Sequence, residues 1–95
     1  MDNVLQQIKE ISSRYHIQKV ILFGSRARGD NSPVSDYDIA VFGKDMSERV
    51  KTGFYLDVED IDTLKKIDVV FVDDKVSLRL LEKIFDEGVV VYDGA

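Results

Sequence analysis

Two aspartates, Asp36 and Asp38, stand two residues apart where a loop gives way to the apolar run IAVF. A third, Asp68, sits near the start of another apolar run, IDVVFV. An acid among such neighbours is poorly tolerated unless something partners it. In an extended chain, side chains two apart point the same way and each residue rises about 3.3 Å, so Asp36 and Asp38 share a face about 7 Å apart at the backbone. Carboxylates spaced in this way can converge on one ion, or on two ions about 3.5–4 Å apart. Oxygen-only ligands select hard cations such as Mg²⁺, which keep waters and bind substrate phosphates. If the run carrying Asp68 lies beside the run carrying Asp38, the three acids form one cluster. They would then raise one another's pKa, a conflict that a divalent cation removes.

Upstream, Gly24 and Ser25 close the apolar run KVILF. Glycine lets the backbone approach a ligand closely and adopt positive φ. Backbone N–H groups at the start of a helical turn, joined by a serine hydroxyl, make a phosphate cradle. Arg26 and Arg28 add positive charge beside it, and arginine can fork onto phosphate oxygens. Taken singly, each feature has a plainer explanation: a strand-ending turn with solvated arginines, a solvated loop end, an ordinary strand-end acid. The spacing changes the balance. Gly24-Ser25, ten residues, then Asp36-x-Asp38 fixes four identities at fixed offsets, with a strand before, a strand at the acids and a third acid later.

The elements that must position these residues follow from periodicity. Val4, Leu5, Ile8, Ile11 and Tyr15 recur at helical spacing, which predicts an amphipathic helix over 3–15 with Asp2 or Asn3 as its N-cap. Residues 18–23 read as a buried strand ended by Gly24, and 25–28 as a brief helical turn before the loop chemistry of 29–33. Residues 36–42 form the second strand, with Tyr37 and Ile39 facing away from the acids. Apolar positions from Met46 to Leu64 step by three or four and predict a helix over 46–64, weakened by Gly53. A third strand over 67–72, a helix over 77–86 broken by Gly88, and a fourth strand over 89–92 complete the chain. This order predicts an α+β fold: a two-layer sandwich with helices packed on a small mixed sheet.

Ninety-five residues leave room for a single domain, 1–95. A net charge of −5 argues against a general nucleic-acid binder, yet no acid occurs between Ile11 and Gly29, so a local anion site is compatible with an acidic protein. There is no cysteine, hence no disulfide or thiolate metal site. The amino terminus lacks the features of a signal peptide, and no apolar run nears the ~18–20 residues of a membrane span, so a cytoplasmic protein is expected. His16 reads as a helix-end residue, Tyr15, Tyr37, Tyr55 and Tyr92 as packing residues, the acidic run 57–62 as a solvated helix face, and Asp73 and Asp74 as turn residues.

The stretch GSRARGDNSPVSDYDIAVF resembles the signature of the minimal nucleotidyltransferases of the DNA polymerase β-like superfamily, and the resemblance extends over nearly the whole chain. It implies the polymerase β-like palm fold, with a nucleoside triphosphate held by Gly24 and Ser25. It also implies two Mg²⁺ ions on Asp36 and Asp38, and Asp68 as the third carboxylate, a ligand or the group that helps deprotonate the acceptor hydroxyl. The implied reaction is in-line attack on the α-phosphorus of ATP, with transfer of AMP and release of pyrophosphate. Small stand-alone members resemble antitoxins that silence HEPN-type ribonuclease toxins by AMPylating a tyrosine, so the implied partner is a helical HEPN toxin. Two alternatives stand beside this: a non-catalytic steric or nucleotide-sensing antitoxin, and a subunit acting on a small hydroxylated molecule such as an aminoglycoside.

Overall fold

The computed structural model describes residues 2–94. Its elements run α1 (Asn3–Ser13), β1 (Lys19–Phe23), α2 (Ser25–Arg28), β2 (Tyr37–Phe42), α3 (Glu48–Glu59), β3 (Ile67–Phe71), α4 (Leu78–Glu87) and β4 (Val89–Asp93). The four strands make one sheet in the order β3-β2-β1-β4. β1 runs antiparallel to both β2 and β4, whereas β2 and β3 are parallel and joined through α3.

Strand alternation divides the sheet into two faces. On one, Val20, Leu22, Tyr37, Ile39, Val41, Ile67 and Val91 pack under α1 and α3, which contribute Ile8, Ile11, Phe54 and Val58. On the other, Ile21, Phe23 and Ala40 pack under α4 through Ile84, with Val70, Phe42 and Leu80 at the margin. The α+β class and the mixed sheet with helices packed on it are as the sequence implied. The helices, however, divide between the faces, and α4 adds a third layer over part of the second one. Gly88, between α4 and β4, permits that closeness: a Cβ there would run into the Ile84 carbonyl oxygen and the Ile21 side chain.

Two helices are shorter than their apolar periodicity suggested. α1 stops at Ser13, and Tyr15 packs from beyond its end, edge-on to Phe54 at 6.0 Å, with its hydroxyl donating to Asp57 at 2.5 Å. α3 begins only after Ser47, whose side chain accepts from the Val50 N–H at 3.2 Å, and ends at Asp60. Ile61 still turns inward, but Leu64 lies fully exposed in the connection to β3. An apolar residue at helical spacing is therefore not always a helical one. Asp2 settles the first cap: one carboxylate oxygen accepts from the Leu5 N–H at 2.8 Å and the other from the Tyr37 hydroxyl at 2.7 Å, tying α1 to β2.

Candidate active site

The register of β2 and β3 places Asp38 directly opposite Asp68 as paired residues of adjacent parallel strands. Asp38 is also paired with Phe23, the last residue of β1, so Gly24 follows immediately beside it. Gly24 has φ +78° and ψ −159°, a region that side chains rarely enter, and a Cβ built on it would lie 2.5 Å from Asp38 Oδ2. The glycine is thus required twice, by its own backbone and by the carboxylate against it. Asp36 lies just before β2 rather than inside it and is exposed to solvent. The inward turn of Tyr37 and Ile39, 3% and 0% exposed, leaves Asp38 on the opposite face, the one that α4 partly covers.

The electrostatics of this row are those of crowded acids. Burial pushes the Asp38 carboxyl above its ordinary pKa, and the charges of Asp68 and Asp36 push the same way, while Lys83 and Arg28 pull it back. Lys66, the residue before β3, sets its ammonium 3.2 Å from Asp68 Oδ1, and this hydrogen bond raises the Lys66 pKa. An oxygen-only donor set under mutual repulsion fits a hard divalent cation. Among the described residues no three acids or histidines already form a ligand cage. The row is an open rim that a cation would complete with water and substrate oxygens.

The two arginines separate. Arg26 donates from Nε to the Ser35 carbonyl at 2.9 Å and from Nη2 to the Pro33 carbonyl at 3.4 Å, and its guanidinium lies 4.1 Å over the Tyr37 ring. It braces the 30–36 loop from the side of the sheet away from Asp38. Arg28 pairs with Asp30 at 3.0 Å and with Glu87, at the end of α4, at 2.9 Å. The second oxygen of Glu87 accepts the Gly24 N–H at 3.2 Å. One carboxylate therefore joins the glycine turn, Arg28 and α4.

Lys66, Lys83 and Glu87 carry much of the charge around the acids, and sequence reasoning assigned none of them. Lys83 and Glu87 are four apart and so share a helix face. That spacing was visible in the sequence; which face of which layer it addressed was not. A cavity of about 530 Å³, lined by Gln18, Lys19, Phe42, Phe85, Asp93 and Gly94, opens at the end of the sheet remote from the acids.

A family model described as Polymerase beta, Nucleotidyltransferase matches residues 6–94. The chain belongs to that family. The match takes in the glycine turn, all three acids and both flanking lysines of this polymerase beta nucleotidyltransferase domain. A chain of a toxin–antitoxin complex crystallised with AMP-PNP superposes with a TM-score of 0.74 at 22% identity, over 97% of this chain and 74% of that one. A chain of the Shewanella oneidensis complex between tri-AMPylated HEPN toxin and MNT antitoxin gives 0.67 at 19% identity, over 95% and 70%. One from an MntA–HepT toxin–antitoxin complex gives 0.66 at 19%, also over 95% and 70%. At these identities the likeness is one of fold. None of the curated proteins matches the sequence.

Proposed function

We propose that this nucleotidyltransferase-family chain moves AMP from ATP to a hydroxyl in a Mg²⁺-dependent reaction, the acceptor being a tyrosine of a HEPN-type helical partner. The observation that carries the reading is the pairing of Asp38 with Asp68 beside the Gly24 turn, in a family whose members transfer nucleotides. The fold likeness to complexes of MNT antitoxin with HEPN toxin, one of them tri-AMPylated, supports the choice of partner.

In this reading Asp36, Asp38 and Asp68 hold the Mg²⁺, which when bound supplies charge neutralisation and alignment at the phosphates. Gly24 and Ser25 receive the triphosphate at a turn where no side chain stands in the way. The acceptor oxygen forms its bond to the α-phosphorus as the bond to pyrophosphate breaks, and its proton passes to Asp68. The chain's own contribution is positioning: Glu87 and Arg28 fix the turn, and Arg26 fixes the loop leading into Asp36.

The test is intact-mass spectrometry of a co-expressed helical partner, with wild type and with Asp36→Ala/Asp38→Ala. Mass steps of one adenylyl unit on the partner, seen only with wild type, are expected. An unmodified partner that is still bound and silenced would replace this reading with a steric antitoxin. A partner that does not bind at all would point to a small-molecule acceptor.

A further inference from the structure

The arginines that the sequence offers to phosphate are already committed. Arg26 is spent on two loop carbonyls and the Tyr37 ring, and Tyr37 belongs to the face opposite Asp38. Arg28 is shared between Asp30 and Glu87, and leaving them would break two ion pairs. Lys66 is bound to Asp68. That leaves α4. Its Ile84 is fully buried against the second face of the sheet, and its Glu87, only 22% exposed, is fixed at the Gly24 turn by the two bonds described above. Lys83 lies one helical turn before Glu87 on the same face. It is exposed, and it makes no hydrogen bond or ion pair among the described residues.

The geometry points to Lys83 as the side chain that takes the triphosphate of the nucleotide, a role that rests on the nucleotidyltransferase reading above. An ammonium on a four-carbon stem adapts to phosphate oxygens without the fixed fork of arginine. Here it is carried by the helix that packs on the same face of the sheet as Asp38, and its charge already acts on Asp38. Glu87 explains why the lysine and not Arg28 is available: the carboxylate occupies the guanidinium while anchoring the turn.

The experiment measures binding of α,β-methylene ATP, whose α–β linkage resists transfer, by isothermal titration calorimetry with Mg²⁺ on the whole chain. Lys83→Met should weaken binding on the order of 10- to 100-fold, the weight of a charged hydrogen bond. Lys83→Arg should recover most of it, and Lys75→Met, on the turn before α4, should match wild type. Because Lys83 is exposed, all three should melt without ligand near the wild-type temperature. In turnover, the Lys83→Met loss should fall mainly on KM. Glu87→Gln, which removes one of the two ion pairs of Arg28 while keeping an acceptor for Gly24, leaves Arg28 on Asp30 and should bring no gain in affinity. A Lys83→Met protein that binds as wild type does, or a Glu87→Gln protein that binds more tightly, overturns the assignment to Lys83 alone. A wild-type protein that binds no nucleotide overturns the nucleotidyltransferase reading and this inference with it.

Discussion

At the scale of single residues, the site is a set of conflicts that the fold keeps. Gly24 is the sharpest, since both its positive φ and the Asp38 oxygen exclude a side chain. Gly24→Ala should cost about 1–3 kcal/mol in urea denaturation and abolish transfer, in line with other strained backbone positions. Asp38 is the second. Its folded pKa lies above its unfolded one, chiefly through burial and then through Asp68 and Asp36, with Lys83 and Arg28 offsetting part of the shift. The folded state therefore binds more protons between those two values, so stability is greatest below the unfolded pKa, about 3.9, and falls as pH rises through the window. At pH 7 the ionised carboxylate costs stability. Asp38→Asn, assayed by thermal melting in EDTA, should melt a few degrees above wild type at pH 7, where about 1 kcal/mol moves Tm by roughly 4–8 °C in a domain of this size. The gap should close by about pH 3.5. A variant that melts lower than wild type at pH 7 but level with it at about pH 3.5 would mean that Lys83 and Arg28 outweigh burial and repulsion.

At the scale of elements, α4 is the piece on which most of the unforeseen chemistry depends. Ile84 is its one fully buried side chain, with Leu80 partly buried beside it and Phe85 meeting Phe42 at the edge, so the helix and the Glu87 contact behind the glycine turn depend chiefly on Ile84. Ile84→Ala should destabilise the protein by about 2–4 kcal/mol. Hydrogen exchange should then quicken first in α4, and a uniform rise across the sheet would show that α4 does not open on its own. The strands were the legible part of the chain: short β-branched runs ended by glycine or acids admit little else, and each lies within a residue or so of its expected span. Asp38 and Asp68 could be placed on strands but not side by side, because parallel pairing through α3 is a tertiary choice. Helix ends were less legible. Ile61 and Leu64 continue the period of α3, yet Asp60 closes the helix and Leu64 faces solvent. The roles of Lys83 and Glu87 were hidden for the same reason: an i, i+4 charged pair reads as surface until the face beneath it is known.

At the scale of the whole molecule, the sheet separates duties. One face, under α1 and α3, holds most of the core, and the other is only half covered, which leaves the acid row at the uncovered end. A nucleotide bound there would bridge the turn after β1, the starts of β2 and β3 and the end of α4, elements that now meet through few side-chain bonds. Binding to the folded state alone stabilises it by about 2.7 kcal/mol at a hundredfold excess of ligand over Kd, on the order of 10–20 °C in Tm at this size. Wild type with Mg²⁺ and α,β-methylene ATP should show an upward shift of that order, and EDTA should remove it. Asp36→Asn/Asp38→Asn should show little or none if, as proposed, those acids hold the Mg²⁺ that the polyphosphate needs. A full shift that persists in EDTA would detach nucleotide binding from the acids and favour a nucleotide-sensing module. Equal shifts in wild type and the double variant would instead place the nucleotide away from the acid row.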